Sequence, residues 1–229
     1  MRGLGAAIAA VLCVAAPVSA ARPGPSRDWS RTVVATPAGG YRMGNPNAKV
    51  KLLEFGSLAC SHCRHFEETG FKPLVRDYVR TGQVSYEYRN LLLNAPDVAI
   101  SLLAHCAGAA KFFPMAEVVY ATQPTWFDKV AAISDADRAA IEKLSTADRL
   151  VRLSTIAGFG PIAARFGVTS ARAHQCLVDT KGAERLFATS KAAGDIGIHS
   201  TPTFLIDGRQ SGAAEWEELE PMLRKAAAH

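Results

Sequence analysis

Apolar and polar positions along the chain fall into three regimes. The first carries strand signals. Val50-Lys51-Leu52-Leu53-Glu54-Phe55 is an apolar run of strand length closed by Gly56, and Val84-Ser85-Tyr86-Glu87-Tyr88 alternates apolar with polar. Between them Phe66, Phe71, Leu74 and Tyr78 share one face of a helix that runs to about Arg80, with Gly82 closing it. Pro73 is expected to kink or split that helix. Strand, helix and strand in this order predict a βαβ unit with parallel strands. Upstream, Thr32-Val33-Val34-Ala35 reads as a short edge strand. Pro37-Ala38-Gly39-Gly40 and Gly44-Asn45-Pro46-Asn47 read as turns.

From residue 95 to 194 the pattern changes to Ala, Leu and Ile at helical spacing with few strand formers. Pro96-Asp97 opens a long helix to about Ala121. Leu150, Leu153 and Ala157 mark a helix capped by Gly158, and Gly160-Pro161 opens a short one ended by Gly167. Ser170 is placed to cap the helix bearing Cys176, and a last helix runs from about 182 to Gly194. The third regime returns to strands. Thr203-Phe204-Leu205-Ile206, the turn Asp207-Gly208, and Arg209-Gln210-Ser211 predict a hairpin. A terminal helix follows with Trp216, Leu219, Leu223 and Ala226 on one face, interrupted by Pro221. The expected organisation is an α/β domain in two halves, 32–94 and 195–229, around an all-helical insertion at 95–194.

Composition narrows the class. The 229 residues are 48% hydrophobic and 21% charged, which excludes a disordered or fibrous chain. The net charge of +5 is scattered, without a run of five or more Lys or Arg, so no nucleic-acid partner is expected. Residues 1–20 have the layout of a secretory signal peptide: Arg2, an apolar stretch from Leu4 to Ala16, then Pro17 and the small residues Val18-Ser19-Ala20. That stretch is shorter than the roughly 20 residues a span needs. Leu12 before Cys13 argues against a lipoprotein signal. Residues 21–31, rich in Pro and polar groups, read as a flexible leader, and the remaining chain as a soluble protein of the periplasm or another exported location. Export leaves Cys60, Cys63, Cys106 and Cys176 in an oxidising compartment, with three possible pairings.

Cys60-Ser61-His62-Cys63 follows a strand and opens a helix. Free N–H groups and the macrodipole at a helix start favour an anion, so Cys60 is expected to be a stabilised thiolate. Cys63, one turn inward, keeps a higher pKa and resolves. A protonated His62 would lower the Cys60 pKa further, against its plainer role as an exposed loop histidine; His65 reads as a solvated helix residue. Zinc is the rival use of the motif. It needs four ligands, and Cys106 and Cys176, beside His105 and His174, have no recognised zinc spacing. Ser200-Thr201-Pro202-Thr203 reads by itself as a turn before a strand, with trans as the default for its proline.

A strand leading into Cys-x-x-Cys on a helix, a helical insertion, and then Thr-Pro-Thr-Phe-Leu-Ile-Asp-Gly together resemble the thioredoxin fold. More closely they resemble the DsbA family of exported thiol–disulfide oxidoreductases, over about residues 40–227. The resemblance implies a redox-active Cys60–Cys63 disulfide and a cis Pro202 facing it. It implies that Thr201 pairs its backbone with an extended substrate, and that Glu54, six residues before Cys60, is a buried acid exchanging a proton with Cys63. The alternative for Glu54 is a solvated strand end. Some relatives carry a second disulfide in the helical domain, which here would join Cys106 to Cys176; the alternative is two separate buried thiols. The expected function is an oxidase acting on reduced or misoxidised exported proteins, without a cofactor and without a metal, as a monomer, and reoxidised by a DsbB-like membrane partner. Two departures bear on it. Ser61-His62 replaces the familiar Pro-His, and Thr201 is shared with isomerase-type relatives, although their dimerisation domain is not expected in the roughly thirty mature residues before the first firm strand. A reductase or isomerase of the same fold, and a metal-binding or thiol-chaperone protein, remain as alternatives.

Overall fold

β3 (Val50–Gly56) is one of the two middle strands of a six-stranded sheet, and each of its edges is paired. One edge runs parallel to β4 (Val84–Asn90), with Leu52 opposite Tyr86 and Glu54 opposite Tyr88. The other runs antiparallel to β5 (Thr203–Ile206), with Glu54 opposite Phe204. The computed structural model describes residues 27–228; the expected signal peptide and the start of the leader lie outside them. The sheet continues outward through β2 (Tyr41–Met43) to β1 (Val33–Ala35) on one side and to β6 (Arg209–Gln210) on the other, in the order β1-β2-β4-β3-β5-β6. β5 and β6 are joined by Asp207 and Gly208, both at positive φ, the geometry of a two-residue hairpin turn.

Several local expectations are corrected. β2 has no counterpart among the expected strands; its three residues sit between two turns and are too few to display an alternation. The end of the leader, Trp29–Arg31, forms a 3₁₀ turn capped by Asp28, and the Trp29 N–H is bonded to Arg80 O. The helix after Cys60 is not split at Pro73. α1 (Ser61–Phe66) passes into wider π-helical turns at Glu67–Phe71 and Leu74–Val79, and Pro73 keeps helical angles between them. The long helix to Ala121 is two, α2 (Ala95–Ala107) and α3 (Ala109–Ala121). They are parted by Gly108, whose φ of 81° favours glycine. α4 (Gln123–Ala131) and α5 (Asp135–Glu142) are additional to the expected helices. α6 (Thr146–Ala157) ends on Gly158 and leads to α7 (Phe159–Arg165). Thr169, not Ser170, caps α8 (Ser170–Leu177) through a bond from the Arg172 N–H. α9 (Thr180–Asp195) completes the insertion. α10 (Trp216–Ala228) carries Pro221 without interruption.

One apolar core serves both parts of the molecule. Val50, Leu52 and Tyr86 of the sheet belong to the same buried cluster as Phe112, Phe113 and Trp126 of the insertion. Phe113 packs against Tyr86, and Trp126 against Phe159. A smaller cluster of Phe55, Leu91, Ala193, Ile198 and Leu205 lies apart from it and includes α9. Within the insertion Cys106 of α2 and Cys176 of α8 are joined by a disulfide across 70 residues of sequence. A bond closing a loop of that size restricts the unfolded chain. The Cys106→Ser, Cys176→Ser double variant is therefore expected to lose about 2–4 kcal/mol of unfolding free energy. Urea denaturation of both proteins reads this directly. Equal midpoints would mean that packing of α2 on α8 holds the insertion without the bond.

Candidate active site

β3 ends at Gly56 beneath the start of α1, and the tight segment Ser57–Cys60 joins them. A side chain on Gly56 has no room. A Cβ there would stand 2.6 Å from Glu54 Oε1 and 2.5 Å from the Tyr88 ring. Cys60 is the N-cap of α1, with φ −90° and ψ 126°, and its sulfur accepts the Cys63 N–H at 3.4 Å. On the other side its thiol donates to the Thr201 carbonyl at 3.2 Å. The Thr201–Pro202 peptide bond is cis. Both cysteines are thiols in this structure and both are buried, Cys60 at 7% exposure and Cys63 at 1%.

The two sulfurs differ sharply in acidity. Cys60 is pulled down to about 5, first by the hydrogen bond from the Cys63 side chain. Burial opposes this, while the Thr201 side chain and the amides of Cys63 and His62 add to it. Cys63 is pushed well above the usual thiol range, first by burial, then by the Cys60 contact and the Glu54 charge. Near neutrality Cys60 thus ionises, giving up the proton it shares with the Thr201 carbonyl, while Cys63 stays a thiol.

Glu54, central in β3 and 2% exposed, accepts a 2.6 Å hydrogen bond from the Tyr86 hydroxyl. Burial raises its carboxyl to about 8; the Tyr86 bond opposes the shift and Cys60 reinforces it. Glu67, on the turn after Cys63, is half-buried and also raised to about 8, by burial, then by Glu54, then by Glu117. Sequence reasoning passes over Glu67, although a signal exists: it lies four residues after Cys63, on the same helical face.

The structure brings Cys60, Cys63, Glu54, Thr201 and Pro202 together. His62 is different. Its amide favours the Cys60 thiolate, but its imidazole is on the exposed side, as is that of His65. Cys106 and Cys176 pair in the insertion. No cluster of three His, Cys, Asp or Glu side chains able to hold a metal occurs among the described residues. None of the described helices is long and apolar enough to cross a membrane. A stabilised thiolate, a buried thiol and a buried proton-bearing acid in one site are groups that thiol–disulfide exchange can use.

Comparison with known proteins gives a consistent placement. A protein of Rickettsia bellii named as a protein-disulfide oxidoreductase is 28% identical over 189 residues, which is 80% of this chain and 63% of that protein. The chain thus spans about three-fifths of the length of such relatives. Among solved structures, a protein-disulfide isomerase from Novosphingobium aromaticivorans superposes with a TM-score of 0.78 at 27% identity, covering 83% of this chain and 98% of that one. Wolbachia pipientis alpha-DsbA1 shares the fold, with a TM-score of 0.66 at 21% identity over 82% of this chain and 90% of its own. The family model described as Thioredoxin matches residues 36–225. That span takes in both halves of the sheet, the cysteine pair and the whole insertion, so this chain belongs to the thioredoxin family.

Proposed function

We propose that the protein is a DsbA-type thiol–disulfide oxidoreductase, working outside the cytoplasm as an oxidase of reduced proteins. The observation that carries this reading is the acidity gap between Cys60 and Cys63. In the oxidised enzyme a substrate thiolate attacks Cys60 Sγ. The Cys60–Cys63 bond breaks, and Cys63 leaves as a thiolate that takes up a proton. Glu54, protonated at neutral pH, is the nearby donor. The substrate's second thiolate then attacks the substrate sulfur of the mixed disulfide and releases Cys60, the better leaving group because its thiolate is stabilised. Two substrate thiols become one disulfide, and the enzyme ends as the dithiol. A membrane oxidase of DsbB type then restores the bond. The carbonyl of Thr201, beside Cys60, and its amide offer an extended substrate segment a backbone partner.

An isomerase or reductase is the second reading, favoured by the likeness to the Novosphingobium protein-disulfide isomerase. Equilibration with glutathione buffers separates the two. The oxidase reading expects a Cys60–Cys63 reduction potential above about −200 mV, toward the ~ −120 mV at which DsbA is a strong oxidant. A value near thioredoxin's ~ −270 mV would overturn it in favour of the reductase.

A further inference from the structure

The segment that delivers Cys60 takes its shape from the helical insertion. Tyr120 of α3 donates its hydroxyl to Ser57 O at 3.1 Å. Gln123, the first residue of α4, donates to Leu58 O at 3.0 Å and to Cys60 O at 3.1 Å. Asp97 of α2 accepts from Ser57 Oγ at 2.6 Å, and the same Ser57 oxygen accepts the Ala59 N–H at 3.0 Å. The Cys60 N–H closes the turn onto Ser57 O at 3.1 Å.

Asp97 is the carboxylate of this set and is fully buried, at 0% exposure. A carboxylate persists there only if its oxygens are occupied. Besides Ser57 it accepts the Leu93 N–H at 3.0 Å and the Ser101 hydroxyl at 3.3 Å. Ser101 in turn accepts from Asn90 Nδ2 at 2.9 Å. One side chain therefore joins the end of β4, the start of α2 and the segment carrying the reactive cysteine. The exchange chemistry makes no use of it, and an apolar residue would fill the space without needing partners.

We propose that Asp97 is a positioning residue for the redox cysteine: through Ser57 it holds residues 57–60 in the conformation that aims the Cys60 sulfur at the Cys63 amide and at Thr201. It touches no reacting atom. The inference rests on the oxidoreductase reading for what Cys60 does, and on the hydrogen bonds alone for how Cys60 is held.

The test uses Asp97→Asn and Ser57→Ala in the full chain. The thiolate pKa of Cys60 is followed by ultraviolet absorbance, and the Cys60–Cys63 equilibrium by glutathione titration. Loss of one hydrogen bond to the thiolate is worth about tenfold. Both variants are expected to raise the Cys60 pKa by about one unit, and to shift the equilibrium about tenfold toward the disulfide, relative to the parent. The direction is decisive. If Asp97 acted only as a negative charge, Asp97→Asn would lower the pKa. A pKa that falls overturns the proposal. So does a pKa and equilibrium unchanged in both variants alongside a lower melting temperature. Should Asp97→Asn fail to fold, Ser57→Ala, which keeps the carboxylate, decides by the same two readouts. The oxidase reading is judged on the parent's own potential. A parent near thioredoxin's value would sink that reading and leave the comparison among variants intact.

Discussion

Cys60→Ser is expected to abolish the proposed disulfide donation, whereas Cys63→Ser is expected to yield a protein that captures its substrates. The asymmetry follows from the two sulfurs. Cys60 is drawn down to about 5 by the Cys63 side chain, and its sulfur also receives the Cys63 N–H. In the proposed mechanism it is the sulfur that receives attack and the better leaving group. A serine hydroxyl in its place forms no disulfide, so turnover of a reduced protein substrate falls to background. Cys63 is almost completely buried and held as a thiol. Without it Cys60 still exchanges with a substrate disulfide, but no second enzyme thiol releases the adduct. Mass spectrometry under non-reducing conditions should find a mixed disulfide through Cys60 in Cys63→Ser and none in Cys60→Ser. Adducts on Cys63 in the latter would reverse the assignment of roles.

Glu54→Gln is expected to make the reduced protein more stable by about 4 kcal/mol at pH 8 while slowing exchange. In the folded protein burial lifts Glu54 from 4.5 to about 8. An acid whose folded pKa is raised binds its proton more tightly folded than unfolded, so its contribution is neutral below the unfolded value. It becomes increasingly destabilising as pH rises from 4.5 to about 8, at about 1.4 kcal/mol per pH unit. Glutamine keeps an acceptor for the Tyr86 hydroxyl and does not titrate, so its advantage is absent near pH 4 and complete above pH 8. Denaturant titrations of both reduced proteins at these two pH values measure the difference. A constant difference would show that Glu54 ionises normally. The loss of rate comes from Cys63, which no longer has a nearby carboxyl to exchange its proton. An acid that destabilises the fold and serves the proposed reaction would be a familiar compromise between stability and activity.

The parts of the molecule legible in sequence are those written in local pattern. The apolar run at Val50–Phe55 and the alternation at Val84–Tyr88 announce the parallel pair, and Asp207-Gly208 announces the hairpin. Glu54 stands out because a charge interrupts an apolar strand. Gly108 is available as a helix terminator, but the apolar residues on either side of it read as one helix. Pro73 and Pro221 point the other way, since each is absorbed into a helical path. His62 draws attention by its place in the motif, yet what reaches Cys60 is its amide, a group every residue but proline carries. Asp97, Tyr120 and Gln123 are silent for a different reason. Their partners lie 40, 63 and 65 residues away, and no local pattern encodes a pairing across that distance.

The same long separations set an order of assembly. During synthesis Cys60 emerges well before Gln123, and Thr201 follows 141 residues behind it. A nascent or truncated chain ending before Thr201 possesses both cysteines but lacks one of the groups that acidify Cys60. Its thiol is correspondingly less reactive toward other unfinished chains. The cysteine therefore acquires its full character only when the segments around residues 60 and 201 have met around the helices that separate them. For the same reason the insertion is not a detachable module. Grafting residues 57–63 onto a smaller scaffold of the same sheet topology would transplant the motif and leave behind the side chains from α2, α3 and α4 that shape it.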